Sequence, residues 1–181
     1  MNVLIVILFA LTFLFAILMA IYAYYGGFKT ITFKEEEQGG ETIVYEEMIG
    51  DYRQTPKVQD KIYYSLLNND KIETTKGFGI YYDNPKEVEK IKLRSEIGCI
   101  VEGLDSETVA KLAQKYKIKT LSKTRCIVTE FPFKGMLSVF VGIMKVYPAF
   151  EKYCKQNGLS DSPMMEIYDV PNKNIVYRKG L

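Results

Sequence analysis

No histidine occurs anywhere in the 181 residues. That absence removes Ser-His-Asp and Cys-His nucleophile chemistry and every histidine-containing metal site. No Asp, Glu, Lys or Arg precedes Lys29, so all charged side chains fall in the remainder of the chain, whose length suits one globular domain. With 24 basic against 22 acidic residues and a formal net charge of +2, the strongly basic footprint of a nucleic-acid binder is missing, and no direct nucleic-acid partner is expected. Cysteines are few and unpaired in pattern: Cys99, Cys126 and Cys154 form no CxxC, which fits buried reduced thiols rather than a disulfide framework. No Asn begins an Asn-x-Ser/Thr acceptor, although lumenal and secreted domains often carry one. Neither a cofactor, a metal nor a complete catalytic set is expected.

What is present begins with a long apolar run. Val3 to Ala23 is almost wholly Leu, Ile, Val, Phe and Ala, and about 20 such residues at about 1.5 Å each cross a hydrocarbon core of about 30 Å. A cleaved signal peptide would carry a basic start and a shorter apolar core. An uncleaved anchor is therefore expected over residues 1–25, a juxtamembrane linker over 26–41 and a globular domain over 42–181. Tyr22, Tyr24 and Tyr25 suit the membrane interface, and Lys29 and Lys34 beyond them place the domain on the cytosolic side.

The domain reads as alternating strands and helices. Phe28 to Phe33 is an expected strand and Glu35 to Gly40 a solvated connector. Thr42 to Met48 is extended; Pro56 opens a helix with Val58, Ile62 and Leu66 on one face. Gly77 to Tyr82 and Ser95 to Glu102 follow as strands. Asp105 caps a short helix, and Lys111, Lys115, Lys117, Lys119, Lys123 and Arg125 read as a solvated helix face, or less readily as a patch that touches anionic lipid headgroups near the anchor. Thr124 to Phe131 is a strand. Met136 to Gln156 is a long helical stretch with Phe140, Met144, Tyr147 and Phe150 expected inward and Pro148 expected to kink or restart it. Met164 to Val170 and Asn174 to Arg178 complete the pattern, which is βαββ, a linking helix, and βαββ again.

The stretch Gly79-Ile80-Tyr81-Tyr82-Asp83-Asn84-Pro85, with Gly50-Asp51-Tyr52 upstream and Met165-Glu166-Ile167-Tyr168 near the end, resembles the GyrI-like (gyrase-inhibitor-like) domain family. Including the apolar start, Phe131-Pro132-Phe133 and Val146-Tyr147-Pro148-Ala149, the likeness extends in order over nearly the whole chain and points to a membrane-anchored type. It implies an α+β fold of tandem βαββ (SHS2-type) repeats around a ligand cleft. It further implies a protein of the endoplasmic-reticulum (ER) membrane, facing the cytosol, of the ER-phagy receptor or adaptor kind. Protein partners would be autophagy machinery or a p97-type unfoldase. Those roles depend partly on a disordered tail, and the sequence runs only a few residues past its last expected strand, so an adaptor working through its folded domain is expected.

Other relatives bind lipophilic cations or hydrolyse small strained-ring molecules, using a buried carboxylate in the last strand. Asn174 stands roughly there in this sequence. Glu166 and Glu130 are the remaining acids, each in an alternating strand where a solvent-facing position is the default. Tyr52, Tyr81, Tyr82, Phe131 and Glu166 are thus the cleft candidates for an apolar small molecule, and hydrolysis is the lesser reading.

Ubiquitin-like autophagy modifiers dock an extended peptide with an aromatic residue and, three positions on, an aliphatic one. Tyr63-Tyr64-Ser65-Leu66 has that spacing, but it lies in a predicted helix whose apolar stripe is worth several kcal/mol of burial at about 25 cal/mol per Å². After Tyr168 the aliphatic position is Pro171, and after Tyr177 it is Gly180. Titrating such a modifier into the purified chain is expected to show no low-micromolar binding; such binding, lost on mutating one exposed aromatic residue, would reverse the expectation.

Overall fold

The computed structural model describes residues 3–159 and 162–181; Met1 and Asn2 of the expected anchor lie outside the described residues. Helix α1, Val3–Tyr24, is 22 residues long and buries none of them against the domain, and it is long and apolar enough to cross a membrane. The rest forms one antiparallel sheet of eight strands: β1 Lys34–Gln38, β2 Thr42–Ile49, β3 Lys76–Tyr81, β4 Arg94–Val101, β5 Lys117–Thr120, β6 Thr124–Pro132, β7 Met164–Asp169 and β8 Asn174–Gly180. Their order across the sheet is β1-β6-β8-β7-β3-β4-β2-β5. Helices α2 (Thr55–Asn69), α3 (Ser106–Ala113) and α4 (Met136–Gln156) complete the chain.

Two βαββ units, β2-α2-β3-β4 and β6-α4-β7-β8, meet at the β3–β7 pair, and β5 and β1 are added at the two rims. Alternation explains what each helix covers. Val44, Cys99 and Val101 lie beneath Ile62 and Leu66 of α2, while Ile127, Phe131, Ile175 and Tyr177 lie beneath Val141, Val146 and Phe150 of α4. Asp105 caps α3 by accepting from the Thr108 amide at 2.7 Å.

The other face of the sheet carries no helix, yet Ile43, Phe78, Ile100, Met165 and Ile167 on it are buried. Chain connectivity explains this. In the strand order β1 and β2 stand six places apart, roughly 29 Å in a flat sheet at about 4.8 Å per strand. Only Gly39, Gly40 and Glu41 join them, and four residue steps reach at most about 14 Å. The β5–β6 connection, Leu121 to Lys123, faces the same demand. The sheet therefore curls over its helix-free face, and the two connectors cross there. The Gly40 amide donates to the Leu121 carbonyl at 2.7 Å and the Leu121 amide to that of Glu41 at 2.9 Å. Arg178 of β8 fastens the crossing by donating to Glu41 at 2.7 Å and Gln38 at 3.2 Å. Burial alone would raise the Glu41 pKa, but bonding to Arg178 holds it below the ordinary value.

Several expectations are corrected. The strand lies at Lys34–Gln38 and not at Phe28 to Phe33, so part of the expected connector belongs to the sheet. The basic stretch is no single helix face. Lys117 and Lys119 form β5, and Lys111, Lys115, Lys117, Lys119 and Arg125 pair with Glu107, Asp70, Glu47, Glu96 and Glu35. Helix α4 continues through Pro148 and does not restart there. Phe140 and Met144, expected inward, are 56% and 65% exposed, because α4 is apolar nearly all round its first half and only one side meets the sheet.

At Gly39, φ is +124° and a Cβ would stand 2.2 Å from the Ser122 carbonyl oxygen. Gly39→Ala is expected to destabilise the domain by about 1–3 kcal/mol through strain and backbone displacement. Gly180→Ala, with open space around it, should stay within about 0.5 kcal/mol. Urea unfolding of both variants checks this, and equal midpoints would contradict the crossing.

Candidate functional site

Beneath α4 a single carboxylate is set among tyrosines. In register, Glu166 of β7 stands between Gly79 of β3 and Tyr177 of β8, all three on the helix-bearing face. Gly79 leaves a gap that Tyr81 fills by folding back, since a Cβ there would come within 2.7 Å of the Tyr81 hydroxyl. Two residues along β7, Tyr168 shares the face of Glu166 and its hydroxyl donates to one carboxylate oxygen. From above, the Tyr147 hydroxyl of α4 donates to the other at 2.8 Å. Tyr177 reaches under α4 at Gly142, where a Cβ would stand 2.6 Å from its hydroxyl. That hydroxyl is buried without a hydrogen-bond partner among the described residues.

Glu166 is 1% exposed. Burial raises its pKa above the ordinary carboxyl value, and the two tyrosine bonds offset only part of the rise. Tyr147 and Tyr168 are in turn pushed well above the usual phenol value, first by burial and then by the neighbouring carboxylate charge. The arrangement leaves an acid that holds its proton longer than usual, surrounded by aromatic rings. A charged partner that brought its own apolar surface would meet both a counter-charge and ring faces.

Of the five cleft candidates, the structure brings Glu166 and Tyr81 together. Tyr52 supports them from outside, its ring edge-on to Tyr81 at 4.9 Å between centroids. Its hydroxyl lies 2.9 Å from the Arg94 carbonyl oxygen and accepts from the Asp83 amide at 3.2 Å. The Tyr-Tyr-Asp-Asn-Pro turn thereby fixes Tyr81, with Asp83 paired to Arg94 at 2.8 Å. Phe131 is fully buried core beneath α4.

Tyr82 is not part of this cluster. It points to the helix-free face, where burial first and then Glu96 push its pKa to about 12. Glu130 also faces that side, exposed, on a cavity of about 220 Å³ that it shares with Glu41, Lys76 and Asp169. The solvent-facing default fails for Glu166 because both faces of this sheet are covered. Tyr168 and Tyr177 are not among the sequence candidates, and Tyr147 reads there as core; the Glu-x-Tyr spacing of Glu166 and Tyr168 is the signal that points to them. Asn174 begins β8 opposite Asp169, at the strand end and away from Glu166 in register.

A family model described as a GyrI-like small molecule binding domain matches residues 32–176. Testis-expressed protein 264 of Homo sapiens is 32% identical over 99 residues, covering 51% of this chain and 32% of the relative; its Mus musculus homolog is 31% identical with the same coverage. The match thus spans about a third of the length of these curated relatives. Among solved structures, the EcmrR–DNA complex superposes with a TM-score of 0.60 at 11% identity, over 90% of this chain and 62% of that one. SAV2435 bound to tetraphenylphosphonium gives 0.53 at 15% identity, over 82% and 93%. At these identities the likenesses show a shared fold.

The raised pKa of Glu166 has a definite sign for stability. Between the ordinary carboxyl value of 4.5 and its raised folded value, the folded state keeps a proton that the unfolded chain has released, so this group's contribution falls as pH rises. Glu166→Gln removes the dependence. The melting temperature of the variant relative to the parent is expected to climb between about pH 4 and about pH 7; a constant difference across that range would place the carboxyl at an ordinary pKa.

Proposed function

We propose that this chain, which belongs to the GyrI-like small molecule binding domain family, is a membrane-tethered module that takes a lipophilic cation beneath α4 against Glu166. The observation that carries the reading is the buried carboxylate itself, held by Tyr147 and Tyr168 with Tyr81 and the unpartnered Tyr177 hydroxyl beside it. A lone carboxylate in an aromatic interior is costly unless a counter-charge arrives. Entry requires α4 to move outward, so affinity is set partly by the fraction of molecules in which it has done so. The solved relative with tetraphenylphosphonium bound supports this class of ligand. Tethering is supported by the length and composition of α1, and a cytosolic domain by Lys29 and Lys34 on its downstream flank.

A second reading, that the tethered domain recruits proteins at the ER membrane, is supported by the identity to testis-expressed protein 264. Proximity labelling from the domain tests it, with autophagy components or a p97-type unfoldase as the expected captures. The two readings are compatible if ligand occupancy changes the position of α4.

For the ligand, tetraphenylphosphonium is the direct probe. Calorimetric titration into the detergent-solubilised chain is expected to give micromolar binding that weakens about tenfold or more in Glu166→Gln, a change of about 1.4 kcal/mol or greater. Triphenylphosphine oxide, which keeps aromatic rings but no charge, should bind poorly to both. Binding unaffected by Glu166→Gln would remove the carboxylate from the site.

A further inference from the structure

Helix α4 buries one side of its first half and leaves another apolar side bare. Met136, Leu137, Phe140, Ile143 and Met144 are between 41% and 65% exposed, and their spacing of three and four residues sets them in one stripe. Continuing along the same side, the helix changes character to Pro148, Glu151, Lys152 and Lys155, so the stripe fades from apolar to charged within one element. The apolar end lies where α1 stops. Lys134, just before α4, donates to the Tyr24 carbonyl at 2.8 Å and stands 4.2 Å above the Tyr24 ring. Lys145 donates to the Gly27 carbonyl. Two ammonium groups thus bond carbonyls at the C-terminal end of α1 and just past it, where cations are favoured. Phe28, 62% exposed, packs edge-on against Tyr22 of α1 at 5.3 Å.

We propose that the first half of α4 lies in the interfacial layer of the bilayer that α1 crosses, with its Met136–Met144 stripe among the upper acyl chains. The inference rests on the membrane-anchoring reading of α1. The occupant follows from position: the first half of a helix, fastened by one lysine before it and one at its middle to the exit of an apolar span, puts the stripe at headgroup depth. A helix lying in an interface needs an apolar face of this kind and cationic side chains beside it. Lys134 and Lys145 supply the cations, and the charged second half is the part that emerges into water. A bare stripe of five large apolar residues is otherwise an aggregation liability.

The chain contains no tryptophan, so Phe140→Trp, Met144→Trp and Ile91→Trp each carry a single probe. Ile91 is 75% exposed, in the loop between β3 and β4 beyond the Tyr81 end of the strands, while α4 begins at their opposite end. The full chain is reconstituted in vesicles whose lipids are brominated at shallow acyl positions. Emission from the Phe140→Trp and Met144→Trp variants is expected to be blue-shifted and mostly quenched relative to unbrominated vesicles, with the Ile91→Trp probe unaffected. If all three probes stay unquenched while the chain resists alkaline extraction, the stripe does not enter the bilayer and the inference falls with anchoring intact. Blue-shifted emission without quenching assigns the stripe to a protein surface, a second copy included, and also overturns it. Release of the chain by alkali removes the anchoring reading and the inference together.

Discussion

Three residues, Gly39 to Glu41, have to carry the chain from one rim of an eight-stranded sheet to the second strand at the other. They can do so only because the sheet closes over its bare face, and most of the domain's character follows from that closure. Phe78 and Ile100, which in a flat sheet would need a second layer above them, are packed among Ile43, Tyr45, Met165, Ile167, Val176 and Leu121. The two glycines at the crossing both have positive φ, which lets two backbones pass at hydrogen-bonding distance. Arg178 and Glu41 form an ion pair with little exposure on either side, and removing one partner would strand a charge in a poorly hydrated place.

Closure on one face and helices on the other leave the central strands without a solvent side, and this is why an acid in the middle of β7 ends up dry. Glu166 is tolerated there because Tyr147 and Tyr168 each give it a hydrogen bond. One of those two comes from α4. The helix that covers the carboxylate is therefore the same one that presents a bare apolar stripe outward and is fastened to the end of α1 by Lys134 and Lys145. What happens at its outer surface and what happens beneath it share one rigid element.

The tandem βαββ plan is legible in the sequence because its core strands alternate and its two long helices carry clear apolar stripes. The rims are concealed. Lys34–Gln38 is Lys-Glu-Glu-Glu-Gln, with nothing in its pattern that distinguishes a strand from a solvated connector; only pairing with β6 makes it one. β5 is four residues long and reads as part of a basic run. Within α4, periodicity reveals the helix but cannot say which of two apolar sides is covered, so Phe140 and Met144 read as inward. For the site, aromatic content near the Tyr-Tyr-Asp-Asn-Pro turn leads to Tyr81 and Tyr52 but also to Tyr82, because adjacent strand residues face opposite sides and sequence alone does not say which side holds the cleft. Glu166 is a candidate for its place in the strand, while its burial comes from α4 and the tyrosines that close around it.

The same connector dictates the order in which the molecule can be assembled. Strand β1 leaves the ribosome first, yet Glu35 waits 90 residues for Arg125 and Glu41 waits 137 for Arg178. At about 5–20 residues per second that interval is on the order of 5–30 s, during which a strand with unpaired edges stands exposed. A strand left waiting in that position is safest if it repels company. Three consecutive glutamates in Lys34–Gln38, the very feature that hides it from pattern reading, keep the edge charged and soluble until β6 arrives to pair with it.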